Sequence, residues 1–565
     1  MTRNRLLRLV LAAAVLAATG WLLRGYTTDD TWIHLRYAAN LLERGEFSFN
    51  PGHDTYGATS PLWIFVLAGL LQLGLAPAAA AWTAGALAGL LVLLLVDAIV
   101  SRMTFRPFWR GVVLLVIVAD AWFLRWTFSG METPLATAAL LVLLWPLVSA
   151  RDVGWGVTRE PMWQRYLAWG AAAGLAGLVR PEFLLMAPAA LPWLLWFEYH
   201  RANAIGGRGA RWRARPHAPL AAAVGGWLAV AGPWLVFARL TFGHLTPGTA
   251  TAKSGGLSLD PQVLLPGLLQ AVRQLGATQA ALWLTLAALV GYVLVRNYRI
   301  GQAGLADGWW PGDETDDADE EDDGPEPPAP GAGPWSVWGP VALVGIAVTW
   351  TAILAGGYAA KQVWIISRYL SPLVPVQVLA LAVIAEWLVL GLNRGHSARR
   401  VRRGVLYGGV AAHLVLNAWL LGAWVVPHAR VFPADLDTCY LGLGRWLRQN
   451  TPPDAVVAAL DIGAVGWASE RRVLDLMGLV SPEIRTLGRG MGFAEMVESG
   501  AWLGTAGPDR PGWLVDRAEA GARFDGRVIA GVRFELVDTC VIRGVGLREP
   551  QPWTVALYRL DSSGS

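Results

Sequence analysis

Two adjacent carboxylates, Asp29 and Asp30, come directly after the first membrane-length apolar run, residues 6–23, of this 565-residue chain. Carboxylates at a membrane edge can take a proton from a reacting hydroxyl group or ligate a divalent cation such as Mg²⁺ or Mn²⁺. One of the two could instead only cap a following helix. Basic residues ahead of the run favour a cytoplasmic amino terminus. The sequence therefore predicts that Asp29 and Asp30 are catalytic residues on the outer face, and it leaves any metal ion undetermined.

Two further charged groups flank apolar runs that end at the same face. Glu132 stands just before Thr133-Pro134, where a helix should begin. It is therefore either a second catalytic carboxylate or a favourable charge at a helix N-terminus. Arg180 lies between two apolar runs, a costly position for a charge. It could hold a phosphate group or pair with Glu182 or an aspartate.

The remaining candidates are cations and aromatic residues of the outer loops. We predict donor-phosphate contacts at Arg180, His244, Lys253, Lys361 and Arg368, and substrate contacts at Arg36, Tyr56 and Tyr369. Structural alternatives exist, because a loop histidine is often just polar and an Arg-Tyr pair often anchors a helix at the membrane interface. Carboxylates facing cations suit a reaction in which cations hold a phosphate leaving group while a carboxylate deprotonates the attacking hydroxyl.

The elements that must position these residues are membrane helices. The chain is 54% hydrophobic and 16% charged, with a mean hydropathy of +0.41, which is too apolar for a soluble enzyme of this length. Its net charge of +4 is spread as basic clusters between apolar runs, a pattern typical of topology signals rather than of nucleic-acid binding. We therefore expect a multi-pass protein of the plasma membrane whose partner is the lipid bilayer. A cleaved signal peptide over the first run is the alternative there.

Twelve apolar segments are long enough, or nearly so, to span a bilayer. They are residues 6–23, 61–75, 77–99, 111–128, 133–149, 166–180, 181–198, 218–240, 278–296, 336–357, 370–391 and 404–426. Basic stretches at 199–217 and 393–403 belong in the cytoplasm, which puts the carboxy-terminal part outside. An inside start and an outside end exclude twelve crossings, so one segment, 61–75 or 111–128, does not cross. The basic run 102–110 favours 61–75, which leaves about 11 transmembrane helices.

The chain divides into a membrane module, residues 1–430, and an extracytoplasmic soluble domain, residues 431–565. The module holds a first outer loop, 24–60, and a cytoplasmic linker, 306–335, whose residues 313–323 include nine acids in eleven positions. Such a run is typical of disorder, and it lacks the spacing of a calcium loop. Short strands at 456–460, 472–476, 512–515 and 554–558 and a helix at 441–449 predict a small α/β domain. A Cys439–Cys540 disulfide would fit an oxidising exterior.

Eight short motifs occur in order along the chain. They are Asp29-Asp30, Phe49-Asn50-Pro51-Gly52, Thr59-Ser60-Pro61-Leu62-Trp63, Ser129-Gly130-Met131-Glu132, Val179-Arg180-Pro181-Glu182-Phe183, Phe242-Gly243 through Lys253, Arg368-Tyr369 and Asp475-Leu476-Met477-Gly478-Leu479-Val480-Ser481-Pro482. The ordered set resembles the GT-C superfamily of membrane glycosyltransferases and is similar to the mycobacterial terminal arabinofuranosyltransferases. Before Arg368 the chain lacks an acidic residue that this resemblance leads us to expect.

The resemblance implies a GT-C membrane module and an inverting transfer of a sugar from a polyprenyl-phosphate donor to an extracytoplasmic glycan or lipid-linked acceptor. By this resemblance Asp29 or Asp30 is the base and Glu132 a second acid. Lys253 and Arg368 contact the donor phosphate, and arabinofuranose is the preferred sugar.

Two other function classes compete with this hypothesis. A transporter or flippase of lipid-linked sugars would place polar groups at the membrane midplane and show internal repeats, whereas here the charges collect at one face. A non-catalytic assembly subunit of the cell envelope would tolerate replacement of both Asp29 and Asp30.

Overall fold

The computed structural model of the protein describes residues 3–103, 107–149, 162–204, 217–249, 255–307, 335–391, 396–487, 491, 493–504, 510–519, 521–544, 547 and 551–562. Lys253 and the acidic run 313–323 lie outside the described residues. The membrane module is helical, and the carboxy-terminal part carries a six-stranded sheet. The predicted fold class, a helical membrane protein with a small α/β domain, is confirmed.

In the described part of the membrane module, ten α-helices lie between Arg3 and Ala204. They are α1 (Arg3–Leu22), α2 (Asp29–Arg44), α3 (Pro61–Gln72), α4 (Pro77–Arg102), α5 (Pro107–Val118), α6 (Ala121–Thr127), α7 (Thr133–Leu143), α8 (Trp145–Ser149), α9 (Met162–Val179) and α10 (Phe183–Ala204). Seven more follow before the sheet domain. They are α11 (His217–Phe242), α12 (Pro261–Asp307), α13 (Trp335–Ala360), α14 (Ser367–Leu370), α15 (Val374–Glu386), α16 (His396–Leu420) and α17 (Val426–Leu436).

Seven helical stretches in the described ranges are long and apolar enough to cross a membrane. Three shorter apolar helices, among them α3 and α7, accompany them. Several of the 11 spans that the sequence predicted are therefore short or broken helices. The number of membrane crossings therefore depends on whether these short helices are counted as spans.

The packing of α1 against α4 places the two ends of α3. Arg5 and Arg8 of α1 donate to Asp97 near the end of α4 at 2.6 and 2.5 Å, so these two ends lie together. At the opposite end, Gly20 of α1 faces Trp82 near the start of α4. Because α4 starts at the end of the bundle that carries α2, the 12-residue α3 must begin and end there. Segment 61–75 therefore begins and ends at one end of the bundle, which is compatible with the choice that the basic run 102–110 favoured.

Segment 111–128 consists of two helices, α5 and α6, with a break before Ala121. Asp120 caps the second helix by accepting a hydrogen bond from the backbone N–H of Phe123 at 2.9 Å. Asn417 of α16 accepts from the N–H of Ala121 at 2.8 Å and donates to the carbonyl of Thr278 at 3.0 Å. These intramembrane polar side chains therefore satisfy the backbone of a broken helix, which membrane interiors require. That role gives no support to a midplane transport site.

The soluble domain is a mixed sheet with helices α18 (Gly442–Asn450), α19 (Gly463–Ser469), α20 (Pro482–Leu487) and α21 (Phe493–Ser499). Its strands are β1 (Val456–Ala459), β2 (Arg472–Asp475), β3 (Trp513–Ala518), β4 (Val528–Ile529), β5 (Val532–Ile542) and β6 (Trp553–Ser562), in the order β2-β1-β3-β6-β5-β4. Parallel pairs join β2, β1 and β3, and the other pairs are antiparallel. The four predicted strands and the predicted helix at 441–449 are confirmed, whereas β4 and β5 were missed.

The Cys439–Cys540 disulfide is present and ties the entrance of the soluble domain to β5. It closes a loop of about one hundred residues, with a sequence separation of 101. A crosslink of this length restricts the unfolded chain strongly, and it indicates an oxidising surrounding for this domain.

Candidate active site

The start of α2 places the two aspartates in the first helical turn. Thr28 is the residue that precedes the helix, in an extended conformation, and its backbone N–H donates to the Thr31 hydroxyl at 3.2 Å. Asp29 and Asp30 therefore follow the cap, where negative charge is favourable. Thr31 also donates to the carbonyl of Ser129 at 2.9 Å, which fixes α2 against the loop that carries Glu132. The two neighbouring carboxylates leave the helix in different directions and meet different partners.

Asp29 caps a helix of the soluble domain. Its carboxylate accepts hydrogen bonds from the backbone N–H groups of Gly463 and Ala464 at 3.0 and 2.8 Å, at the start of α19. Any side chain at Gly463 would collide with the backbone of Asp29, so glycine permits this close approach. Burial and the charge of Asp461 raise the pKa of Asp29 from 3.8 to about 7, against the two backbone hydrogen bonds. Asp29 thus joins the two domains.

Asp30 lies in the membrane-edge cluster. Its Oδ2 accepts a hydrogen bond from Nη1 of Arg368 at 2.8 Å, in an ion pair. The Asp30 side chain is 34% exposed and that of Arg368 is 10% exposed. A ligand from solvent can therefore reach the carboxylate more easily than the guanidinium. The guanidinium of Arg368 also lies 5.5 Å from the ring centroid of Tyr369. The predicted base and the predicted phosphate contact are therefore in direct contact.

Glu132 and Arg180 form a second, buried ion pair beside the first. Arg180 donates from Nε and Nη2 to Glu132 Oε1 at 2.9 and 2.7 Å, and both side chains are 4% exposed. Burial alone would raise the pKa of Glu132, but the charges of Arg180 and Arg368 outweigh it and lower the pKa to about 2. Glu132 is therefore an ionised partner of an arginine rather than a group that exchanges protons near neutral pH.

The buried pair holds the backbone that carries the exposed pair. Arg180 donates further to the carbonyl oxygens of Arg368 and Tyr369, at 3.3 and 3.4 Å. Trp126 adds a bond from its indole N–H to the Ser367 hydroxyl at 3.0 Å. Since Arg368 follows directly, its side chain is aimed at Asp30 by contacts made on its own backbone.

The sequence suggested Glu182 as a partner of Arg180, and the structure gives each a different one. Arg180 pairs with Glu132, and Glu182 accepts a hydrogen bond from the Tyr358 hydroxyl. Tyr358 stacks on Tyr369 with ring centroids 5.1 Å apart. Sequence reasoning missed Tyr358 as a site residue, although it lies in the Gly-rich end of α13 just before the loop that leads to Arg368.

Arg36, predicted to contact substrate, is committed to the domain interface instead. Its guanidinium donates to the carbonyl oxygens of Phe49 at 2.7 Å, of Gly466 and of Arg471 at 2.8 Å, and it lies over the Phe49 ring. Asn50 acts alongside: it donates to the Val473 carbonyl at 2.8 Å and accepts from the Val473 N–H at 2.9 Å. These contacts hold the edge strand β2 against the first outer loop.

Tyr56 and His244 lie in an aromatic cluster beside this loop. Tyr56 accepts a hydrogen bond from the Trp234 indole N–H at 2.9 Å and stacks on His244 at 6.1 Å between ring centroids. The ring Nδ1 of His244 is 2.7 Å from the Thr246 carbonyl oxygen. Lys361 is exposed, and its carbonyl accepts from the Gly255 N–H at 3.1 Å. The described contacts of these residues do not join them to the two ion pairs.

A divalent cation was the other partner considered for Asp29 and Asp30. Within the described ranges, no group of three His, Cys, Asp or Glu side chains comes together. Asp29 is held by backbone N–H groups and Asp30 by Arg368. Both aspartates therefore bind groups of the protein itself.

Comparisons with known proteins agree with this architecture. Residues 435–555 match a family described as a domain of unknown function (DUF8728). No curated protein matches the chain. ArnT from Cupriavidus metallidurans is similar in structure, with 13% identity over 97% of both chains. The TM-score is 0.54 in its apo state and 0.52 when bound to undecaprenyl phosphate. The archaeal oligosaccharyltransferase AglB from Archaeoglobus fulgidus, in complex with an inhibitory peptide and a dolichol-phosphate, has 14% identity, a TM-score of 0.49 and covers 90% of this chain and 69% of its own.

At this level of identity the likeness to ArnT shows the fold. The protein shares the fold of ArnT, a helical module with candidate membrane spans and a small sheet domain. That fold was the one expected from the ordered motifs.

Proposed function

We propose that the protein is a glycosyltransferase that moves a sugar from a polyprenyl-phosphate donor to an extracytoplasmic glycan or lipid-linked acceptor. The observation that carries the proposal is the partly exposed ion pair of Asp30 and Arg368, set at the end of the bundle beneath the soluble domain. ArnT, whose fold this chain shares, was solved with undecaprenyl phosphate bound. The enzyme lies in the plasma membrane with its amino terminus in the cytoplasm and its soluble domain outside.

The proposed reaction uses one group of each sign. The acceptor hydroxyl oxygen attacks the anomeric carbon of the donor sugar, and the bond from that carbon to the phosphate oxygen breaks. The carboxylate of Asp30 takes the hydroxyl proton, which raises the nucleophilicity of the oxygen. The bonding electrons leave with the polyprenyl phosphate, whose growing charge the guanidinium of Arg368 stabilises. Attack from the side opposite to the phosphate inverts the anomeric centre.

Asp30 suits the base better than Asp29 because of its partners. Both oxygens of Asp29 accept backbone N–H groups at the start of α19. The Asp30 carboxylate meets a cation that a donor phosphate would also attract, so donor binding draws Arg368 away and leaves the carboxylate for the acceptor. The resting ion pair therefore keeps both groups charged and in place until substrate arrives.

The other predicted site residues take different roles according to their positions. Arg180 and Glu132 are positioning residues, because they hold the backbone of Arg368 from beneath. Lys253, His244 and Lys361 stay predicted donor contacts that would meet the phosphate from the loops at the membrane edge. Tyr56 and Tyr369 stay predicted sugar contacts. Arabinofuranose is the first donor sugar to test, on the ordered motifs alone.

Sugar transfer by the purified protein tests the proposal. Reconstituted protein receives radiolabelled polyprenyl-phosphate pentoses or hexoses, with and without EDTA, and cell-wall oligosaccharides or lipid-linked glycans as acceptors. Transfer from one donor, lost in Asp30→Asn and kept in the exposed loop variant Asp54→Asn, is the expected result. Transfer that persists unchanged in Asp30→Asn would remove this residue as the base.

Donor binding gives a second test that does not need the acceptor. Arg368→Ala should weaken binding of the polyprenyl-phosphate sugar, whereas Arg44→Ala, an exposed arginine at the end of α2, should not. A flippase would move labelled donor lipid across a vesicle bilayer without forming a glycosidic bond. Lipid movement without transfer in this assay would replace the glycosyltransferase by the transporter.

A further inference from the structure

Three arginines come together at the end of the bundle farthest from the soluble domain. Arg296 lies in α12, and Arg399 and Arg402 lie one turn apart at the start of α16. Arg402 is 1% exposed, and the other two are half-buried. The like charges of Arg296 and Arg399 are among the groups that act most strongly on Arg402. Positive charges that are close together and partly out of water repel one another, so such a cluster attracts an anion.

Buried hydrogen-bond donors in this cluster also indicate a bound anion. The Nη1 group of Arg296 and the Nε group of Arg399 are buried, and neither makes a hydrogen bond to the part of the chain that the structure describes. An unmet charged donor costs about 1–3 kcal/mol or more, so such groups usually have a ligand. Guanidinium groups present paired N–H donors that match the oxygens of a phosphate.

An apolar groove begins directly above these arginines. It encloses about 710 Å³ of atom-free space, part of it open to the surroundings, between α5, α12, α15 and α16. Leu406 in its wall is one turn from Arg402, and Leu289 is two turns from Arg296. Among its lining residues Glu386 is the only charged one. A headgroup-sized cationic site thus continues into a chain-sized apolar one.

We propose that this cluster and groove form a binding site for an anionic phospholipid of the cytoplasmic leaflet. The phosphate of the lipid lies among Arg296, Arg399 and Arg402, and an acyl chain fills the groove toward Leu289. Charge complementarity selects the headgroup, and the apolar walls select a lipid over a soluble anion. The acidic run 313–323, between α12 and α13, would be the other source of negative charge, but carboxylates do not fill an apolar groove. The site lies at the opposite end of the membrane module from the Asp30–Arg368 pair.

Lipid retention in native mass spectrometry tests the site. The full-length protein is extracted from nanodiscs of phosphatidylglycerol or of phosphatidylcholine, and bound lipids are counted as detergent is removed by activation. We expect wild type to retain phosphatidylglycerol, and Arg399→Gln and Arg296→Gln each to lose retention by about fivefold. The exposed outer-face variant Arg44→Gln should match wild type. Equal retention in wild type and both arginine variants would overturn the site.

Two further variants keep the test decisive if an arginine variant folds poorly. Ala382→Phe fills the groove and leaves every arginine in place, so it should lower phosphatidylglycerol retention while the unfolding temperature in detergent is unchanged. Deletion of residues 313–323 should leave retention as it is in wild type. A fivefold rise after the deletion would mean that the acidic run is the resident anion, and it would reject the lipid.

Discussion

Two neighbouring carboxylates of one helical turn serve two different regions of the molecule. Asp29 belongs to the interface between the membrane module and the soluble domain, and Asp30 belongs to the cluster at the membrane edge. In the first region, side chains bind backbone groups: Asp29 binds the N–H groups of α19, and Arg36 binds three carbonyls. In the second, Asp30 binds the side chain of Arg368. The same residue type therefore docks a domain at one position and stands ready for a substrate at the next.

The difference shows what each kind of contact can do. Bonds to backbone groups depend on the course of the chain, so they fix two domains in place and cannot be exchanged without moving them. A bond between two charged side chains can be replaced by a ligand that carries the same charge. The membrane-edge cluster is accordingly the region where chemistry is expected, and the interface is the region where stability and geometry are expected.

The largest expected effect is a difference in sugar transfer between variants of the two aspartates. Asp30→Asn should reduce sugar transfer by about 10²–10⁴-fold, the usual contribution of a general base, while donor binding persists. Asp29→Asn should keep transfer within about tenfold of wild type, because the amide oxygen can still accept one N–H of α19. Initial rates at saturating donor measure both. Equal losses in the two variants would show that the adjacent carboxylates act as one unit.

The second effect concerns the buried pair that supports the cluster. Glu132→Gln should lower the free energy of unfolding by about 3–5 kcal/mol, because Arg180 is left as a buried charge without its partner. Thermal unfolding of the detergent-solubilised protein measures the loss. The double variant Glu132→Met with Arg180→Met should recover much of this stability, yet transfer should stay low since nothing then holds the backbone of Arg368. Full activity in the stable double variant would contradict the positioning role.

The third effect sharpens the interface. Asn50→Asp replaces the donor to the Val473 carbonyl by an acceptor, so β2 should open more readily, at a cost of about 1–3 kcal/mol. Hydrogen exchange at the β2 amides should rise, with little change in the membrane helices. Asn450→Asp, whose side chain is exposed at the end of α18, is the matched control. Unchanged exchange in Asn50→Asp would show that other contacts hold the strand.

The smallest effect is the pH dependence of the same interface. Burial and Asp461 raise the pKa of Asp29 from 3.8 to about 7. Because the folded state then binds the proton more tightly than the unfolded state, the contribution of Asp29 to stability is greatest below about pH 4 and declines as the pH rises to about 7. Solvent screening at this half-buried group keeps the change modest. Asp29→Asn should flatten this part of the stability profile, and a slope that survives the substitution belongs to another group.

The sequence predicted the pieces of the site better than their partners. Asp29, Asp30, Glu132, Arg180 and Arg368 were recognisable because charges at membrane edges are costly and therefore informative. For Arg180 the sequence left a phosphate, Glu182 or an aspartate open as partners, and Glu132 was not among them. Helix packing brings Glu132 to Arg180 from 48 positions away. Tyr358 went unrecognised since an aromatic residue near a membrane edge is common.

The fold was predictable to the extent that hydropathy governs it. Apolar runs of membrane length, basic loops and alternating strands indicated a helical module with an outer α/β domain, and the missed β5 has a mixed burial pattern that hides its period. The interface was not predictable in the same way. Arg36 was predicted to contact substrate because the sequence gave no sign of its partners in the fold. These partners are three backbone carbonyl oxygens, which every residue type carries.

By itself the sequence predicted a membrane protein with an outer domain, two acidic positions after the first apolar run and a cation before the apolar segment 370–391. These predictions follow from solvation, because a charged side chain near the bilayer is costly and is therefore informative. Only the tertiary structure decided that Asp29 docks α19, that Asp30 meets Arg368 and that Glu132 and Arg180 support that pair. Such partners lie up to hundreds of residues apart, and their meeting depends on helix packing and on backbone direction, neither of which is written in the local pattern of the chain.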